Sequence, residues 1–417
     1  MEIKLNEKKQ LGINGLGRIG KLSLWYHLLS KKFDGIVINV GRDVGKTPEA
    51  LLQTLCTDST YGSLEHFLYG RSCKQRCKIE FIDRENLLLN IDGMPVKILN
   101  RERNPYHINW KEHDVRIVAD CTGKFLDPTV SDPEGKGDLQ GHLAAGAQKV
   151  IASAPFKVKQ GLPENHEFFP TMIYGINHLD YQPIEQHIIS AASCTTTALA
   201  HMIKPLLDDR ETTHVLTASL STVHAATNTQ SVLDSVPSAG SGDLRKNRSV
   251  LNNIILSSTG AAKTLEKVLP QLVNFGFMAD SIRIPTTTVS LIALNITFAS
   301  RLNENKMPLI HAEYIKELYR KVARESDEQL LHFSEKQNVS MDLVGMPAAV
   351  VIEGNEIHTR TGFLTVPSEI LSAAGIQVQE VHIPVTHAKI MGWYDNEYGS
   401  YVNCMGHLTE YIAAQIS

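Results

Sequence analysis

Short apolar runs alternate with helical runs through the first 155 residues of the chain. KQLGIN (9–14), GIVINV (35–40), DVRIVADCTG (114–123) and AQKVIASAP (147–155) have the pattern of buried strands, and the last two end in small residues. IGKLSLWYHLLSKK (19–32) reads as a helix, and NLLLNID (86–92) with MPVKILN (94–100) reads as a hairpin around Asp92-Gly93. Strands alternating with helices predict a parallel, doubly wound sheet, so this part of the chain is α/β. After residue 194 the pattern changes. HVLTASLSTVHAATNTQ (214–230) and TTTVSLIALNITFAS (286–300) read as strands, and AEYIKELYRKVARESDEQLLHF (312–333) reads as a helix. This half predicts an α+β domain with a mostly antiparallel sheet. VNCMGHLTEYIAAQI (402–416) is a last helix, expected to pack back on the first domain. The expected division is 1–193 with 396–417 in one domain and 194–395 in the other. The stretches 127–141, 156–170 and 235–248 read as surface loops.

Composition narrows the class. The chain has 417 residues, more than one ordinary core uses, which agrees with two domains. Apolar residues make up 42% and charged residues 21%, the balance of a soluble globular protein. A formal net charge of −4 argues against generic binding to nucleic acid or to anionic membranes. No apolar run approaches the roughly 20 residues of a membrane span, and the charged start MEIKLNEKKQ lacks the apolar stretch of a signal peptide. Six cysteines in no disulfide framework point to a reducing, cytoplasmic setting. Cys73 and Cys77 have a spacing that zinc can use, but without a second pair they read as loop thiols, and no metal is expected.

Two stretches carry chemistry. GINGLGRIG (12–20) holds G-x-G-x-x-G at Gly15, Gly17 and Gly20, between a strand and a helix. There the glycines give a tight turn and let a dinucleotide pyrophosphate approach a helix N-terminus, with Arg18 and Ile19 flanking it. A flexible glycine turn is the alternative. At the end of the second strand, Val40 stands where an acid would bind the ribose. Arg42 could then pair with a 2′-phosphate, which leans the cofactor toward NADP or dual use; the alternative is that Asp43 fills the acid's role. In SAASCTTTALAH (190–201), Cys194 lies at the first turn of the expected helix 196–207, where the positive helix end would lower a thiol pKa. Ser193 and Thr195 can cap the helix or bind an anion. His224 can serve as the thiol's base; otherwise Cys194 and His224 are satisfied core residues.

Taken together, these stretches resemble the phosphorylating glyceraldehyde-3-phosphate dehydrogenase family. GINGLGRIG is similar to its cofactor turn, and SAASCTTTALA to its Ala-Ser-Cys-Thr-Thr-Asn motif. STVHAATNTQ (221–230), SSTGAAKTLEKVLPQL (257–272), RIPTTTVSLIALN (283–295) and GWYDNEYGSY (392–401) resemble further segments in the family's order. The resemblance implies a Rossmann domain closed by the C-terminal helix, a catalytic domain, and a homotetramer. It implies that the Cys194 thiolate attacks the aldehyde and that His224 is the base. It also implies that inorganic phosphate takes the acyl group. By position, Ser193, Thr195, Thr259 and Gly260 match the attacking-phosphate site, and Thr227 and Arg283 the substrate-phosphate site. Arg245 matches less well, because its loop is altered. Asn14 in the turn, Cys121 and Thr122 after a strand, and Asn396 match residues that touch the cofactor.

The departures are Thr197 and Ala198 in the cysteine motif, Ser400 in place of a tyrosine, and extra residues at 235–242 in a loop that in the family lies against a neighbouring subunit. The stretches 156–170 and 330–350 also look expanded, as in a longer, divergent paralogue. Three other readings stay open. One is an erythrose-4-phosphate dehydrogenase, opposed by the intact STGAAK at 258–263. Another is a weakly active regulatory or binding paralogue. The third is an enzyme that takes arsenate or another oxyanion in place of phosphate.

Overall fold

The computed structural model describes residues 9–70, 72, 74–158, 167–326 and 328–416. The chain forms two compact units, Met1–Ser193 with Tyr401–Ser417, and Cys194–Ser400.

The first unit is built on one eight-stranded sheet. Its strands are β1 (Gln10–Asn14), β2 (Gly35–Asn39), β3 (Ile79–Asp83), β4 (Leu88–Ile91), β5 (Met94–Leu99), β6 (Val115–Asp120), β7 (Lys149–Ala152) and β8 (Ile188–Ser190), in the order β8-β7-β6-β1-β2-β5-β4-β3. The strands from β8 to β5 run parallel, with Ile13 opposite Ile38 in β2 and Ala119 in β6. All residues of β2 and β7 are buried, as expected where both faces of a parallel sheet are covered. β4 and β5 form the expected hairpin: Asp92 and Gly93 take φ of 49° and 87°, the left-handed pair that a two-residue turn requires.

Helix α1 (Arg18–Ser30) is buried along most of its length, and the C-terminal helix of the chain, Asn403–Ala414, packs against it. Gly406 permits that approach, because a Cβ there would drive into the ring of Tyr26, itself 6% exposed. Gly406→Ala is therefore expected to destabilise the first unit by about 1–3 kcal/mol despite alanine's better helix propensity, read as a lower denaturation midpoint.

The second unit has a mixed, mainly antiparallel sheet. Its strands are β9 (Val215–Ala225), β10 (Ile255–Ser258), β11 (Gly276–Ile284), β12 (Ser290–Ala299), β13 (Leu331–Ser334), β14 (Val350–Glu353), β15 (His358–Pro367) and β16 (Glu380–Tyr394), in the order β10-β11-β9-β12-β16-β14-β13, with β15 also paired to β16. β12 alternates buried with half-buried residues, the mark of a sheet with one face in the core. Helices Cys194–Asp208 and Ala312–Glu325 supply that core, and Tyr319 Oη donates to Met202 O (2.7 Å) between them.

Three expectations need correction. The helix expected over 312–333 ends at Glu325; Leu331–Ser334 is instead a strand parallel to β14, because this apolar run completes the sheet edge. The return to the first unit comes at Tyr401 and not at residue 396. Residues 395–400 are held in the second unit, where Gly345 N donates to Asp395 Oδ2 (2.8 Å) and Ser400 Oγ donates to Ala349 O (2.7 Å). The 127–141 loop ends two residues early, as Gln140 opens a short helix to Ala144, and the 235–248 loop contains a 3-10 turn, Leu244–Asn247. Part of the 156–170 loop and Cys73 of the candidate zinc pair lie outside the described residues. Cys56, Cys77, Cys121, Cys194 and Cys404 are not joined in disulfides. Among the described residues no helix is long and apolar enough to cross a membrane.

Candidate active site

In the second unit, Cys194 is the first residue of its helix, which begins two residues before the expected 196. The backbone turns sharply just before, with Ala192 at φ 57°, a conformation a non-glycine residue holds only where its surroundings enforce it. Cys194 Sγ lies 3.7 Å from His224 Nε2. His224 comes from β9, and its Nδ1 lies 2.7 Å from Ala225 O. The carbonyl can only accept and so favours a proton on Nδ1, while the donor-only guanidinium of Arg283 competes for the same nitrogen; Nε2 faces the sulfur.

The parallel register of β9 and β11 sets Arg283 directly opposite His224, and the guanidinium Nη1 lies against His224 Nδ1. Asn396 Nδ2 lies 3.2 Å from His224 Nε2. Its orientation is set by a relay in which Ala225 N donates to Ser290 Oγ (2.9 Å) and Ser290 Oγ donates to Asn396 Oδ1 (2.9 Å). Thr195 Oγ1 and Thr222 Oγ1 lie 2.9 and 3.0 Å from Tyr394 Oη.

Burial pushes the Cys194 thiol up from its ordinary value, and the carboxylate of Glu397 adds to the rise; Arg283 and Thr195 oppose it. Burial, and then the Arg283 charge, push His224 down to about 4. At neutral pH the pair therefore rests as thiol and neutral imidazole. This corrects the expectation of a thiol lowered by its helix start: desolvation outweighs it.

The anion-site candidates are distributed unevenly. Arg283 is beside the Cys194–His224 pair, and Thr195 is next to Cys194. Thr259 Oγ1 accepts from Ala261 N (3.2 Å) just ahead of the helix Ala261–Val268, whose N-cap is Gly260, and the side of Gly260 is open. Thr227 donates through N and Oγ1 to Gln230 Oε1 (both 2.9 Å) just past β9. Arg245 is exposed and its guanidinium is taken by Asp243 (2.8 Å), so its loop turns it to a local partner. Thr197, the departure from the motif, is buried inside the helix and its carbonyl meets His201 Nδ1 (2.9 Å). Sequence reasoning assigned nothing to Tyr394 and Ser290, although both lie in quoted motifs; they face each other across β12 and β16.

In the first unit, the three glycines of the turn do different things. Gly15 has φ 95°, its N–H donates to Asn39 O (2.8 Å), and a Cβ there would meet Thr122 Cγ2 at 3.0 Å. A Cβ on Gly20 would overlap the Gly15 carbonyl oxygen, so this residue lets α1 start close to β1. Gly17 caps α1 with open space beside it. A tight turn and an open cap at a helix N-terminus fit a dinucleotide pyrophosphate. Arg18 opens α1, followed by Ile19. Asn14 is the last residue of β1, and Cys121 and Thr122 follow β6. Burial raises the Cys121 thiol to about 12. After β2, Val40, Arg42, Asp43, Lys46 and Thr47 border a cavity of about 510 Å³, and Asn100 Nδ2 donates to Asp43 Oδ1 (2.6 Å).

Comparison with known proteins gives a consistent picture. Residues 9–128 match the family described as "Glyceraldehyde 3-phosphate dehydrogenase, NAD binding domain", and residues 193–396 its "C-terminal domain". The chain is 32% identical to the glyceraldehyde-3-phosphate dehydrogenase of Streptomyces coelicolor over 408 residues, covering 98% of this chain and 99% of that protein. It is 32% identical to that of Bacteroides fragilis over 407 residues (97% and 99%). It is 28% identical to the chloroplastic glyceraldehyde-3-phosphate dehydrogenase A of Chlamydomonas reinhardtii over 401 residues (96% and 87%).

Proposed function

The chain belongs to the glyceraldehyde-3-phosphate dehydrogenase family, and from that premise we propose that it oxidises glyceraldehyde 3-phosphate with a nicotinamide dinucleotide and transfers the acyl group to inorganic phosphate, releasing 1,3-bisphosphoglycerate. The observation that carries this reading is the Cys194 thiol facing His224 Nε2 at 3.7 Å.

His224 Nε2 takes the thiol proton as Sγ attacks the aldehyde carbon. The protonated imidazole returns that proton to the new oxyanion, which the first N–H groups of the helix also stabilise. A nicotinamide dinucleotide held at the glycine turn would supply the hydride acceptor. As hydride leaves the thiohemiacetal carbon, His224 takes the hydroxyl proton and a thioester on Cys194 remains. A phosphate oxygen then attacks the acyl carbon, the C–S bond breaks, and the sulfur recovers its proton from His224. Arg283 and Thr227 bind the substrate phosphate, while Ser193, Thr195, Thr259 and Gly260 bind the attacking phosphate. Asn396, whose amide the Ser290 relay orients, would hold the nicotinamide amide of the cofactor.

For the cofactor, Arg42 pairs with a 2′-phosphate, so NADP is used at least as well as NAD. Support comes from Asp43, whose carboxylate is already engaged by Asn100. The protein works as a homotetramer in a reducing cytosol; Leu256 and Met278, 57% and 72% exposed on neighbouring strands, supply apolar surface for assembly.

The test follows nicotinamide reduction by absorbance with purified protein and glyceraldehyde 3-phosphate. Turnover should require phosphate, and kcat/KM for NADP should equal or exceed that for NAD. Absence of turnover with either cofactor removes the enzyme reading, and a strong preference for NAD removes the role of Arg42.

A further inference from the structure

Beneath the glycine turn lies a buried polar cluster that takes no part in the chemistry just described. Asp120, at the end of β6, is 2% exposed. Its Oδ1 accepts from Thr122 N (3.1 Å) and Thr122 Oγ1 (2.6 Å). Its Oδ2 accepts from Asn14 Nδ2 (2.8 Å) and lies 3.1 Å from His142 Nε2. One carboxylate thus ties the end of β1, where the glycine turn begins, to the segment after β6 that backs Gly15.

The orientation of every partner is determined. Trp110 Nε1 can only donate, and it donates to His142 Nδ1 (2.9 Å). His142 Nδ1 must then be the bare nitrogen, and Nε2 carries the proton that goes to Asp120. Asn39 Nδ2 donates to Asn14 Oδ1 (2.9 Å), so Asn14 offers its own Nδ2 to Asp120. Asn39 Nδ2 also donates to Glu102 O (3.0 Å), and its backbone carbonyl accepts from Gly15 N (2.8 Å). Trp110 and His142 are 0% exposed and Asn14 3%, so no bulk water competes for these bonds.

We propose that Asp120 and His142 are positioning residues for the dinucleotide: the Trp110–His142–Asp120 relay fixes Asn14 and Thr122 and so presets the Gly15–Gly20 turn in its binding geometry. Such presetting lowers the ordering cost of binding. The proposal rests on the reading that this chain binds a nicotinamide dinucleotide.

It is tested by titrating NAD and NADP calorimetrically into the full-length protein and three variants. Asp120→Asn keeps the shape but places an N–H against a donor in either amide orientation. His142→Leu removes the relay. His142→Gln restores it, since Oε1 can accept from Trp110 and Nε2 can donate to Asp120. Kd is expected to rise about tenfold to a hundredfold in Asp120→Asn and His142→Leu, the size of an unpaired buried polar group, and to stay within about threefold in His142→Gln. KM for the dinucleotide should rise in the same order, while kcat at saturating cofactor and the iodoacetamide alkylation rate of Cys194 should hold. A merely structural role would lower the melting midpoint without that split. Wild-type affinity in folded Asp120→Asn or His142→Leu overturns the proposal, as does His142→Gln binding as weakly as His142→Leu. If His142→Leu does not fold, Asp120→Asn and His142→Gln still give the comparison. Wild-type protein that binds neither dinucleotide overturns the underlying reading as well.

Discussion

Cys194→Ser is expected to lower kcat by at least about four orders of magnitude, since it removes the one group that can carry the acyl chain. A serine hydroxyl ionises far above a thiol, and the neutral imidazole 3.7 Å away is a weak base, held down to about 4 by burial and Arg283. The thiol can transfer its proton to such a base as it attacks, because sulfur is intrinsically the better nucleophile; the alcohol cannot do so at a useful rate. The dinucleotide Kd should stay within about threefold, since no part of the glycine turn is altered. The measurements are kcat from nicotinamide reduction and mass spectrometry of the acyl-enzyme after rapid quench. Turnover within tenfold of wild type, or an acyl adduct on another residue, would sink the thiol mechanism.

His224→Asn is expected to lower kcat by about 10²- to 10⁴-fold at neutral pH, the usual contribution of a positioned base. Its pH profile is more diagnostic. In wild type the imidazole is neutral well below pH 7, so alkylation of Cys194 by iodoacetamide should change little between pH 6 and 8, a range above the value of about 4 that burial and Arg283 impose. Without the imidazole only the ionised sulfur reacts. Burial raises the Cys194 thiol, so the variant's alkylation rate should climb roughly tenfold per pH unit across that same range.

Stability gives a second readout with a definite sign. The folded pKa of His224 lies below its unfolded value of 6.5, so below pH 6.5 the unfolded chain binds a proton that the folded chain refuses until about pH 4. The native state loses up to about 3 kcal/mol as pH falls through that window. His224→Asn should lack this part of the acid destabilisation, seen as a shallower fall of the denaturation midpoint from pH 7 to 4. Parallel profiles for the two proteins would contradict the buried, neutral imidazole.

How much of the site was legible depended on distance along the chain. Cys194, the glycine turn and the Asp92-Gly93 hairpin are local patterns, and each stands in the fold where its neighbours in sequence put it. The partners of His224 are remote. Arg283 is 59 positions away and Asn396 is 172, and only strand pairing brings them to one imidazole. Tyr394 could be quoted within a motif, but its contact with Thr195 and Thr222 depends on three separate elements. Asp120, His142 and Trp110 carry no motif of their own, and their relay follows from a short helix packing beside β7, from which His142 reaches Asp120. Arg245 shows the reverse case, a sequence match whose loop hands the guanidinium to the adjacent Asp243.

The order of strands and helices, the two-unit plan and the placing of a thiol at a helix start were decided by residue periodicity and by positions that demand glycine, both of which act over a few residues. The end of the helix at Glu325, the retention of residues 395–400 in the second unit, and the resting protonation of Cys194 and His224 were decided by the tertiary structure. The physical reason is common to all three. A sheet edge left open, a carbonyl left unpaired and a charge left without water cost free energy only once the chain is packed around them. The thiol that local sequence marks as ionised is therefore held neutral by its burial, and it reacts through the histidine that folding sets beside it.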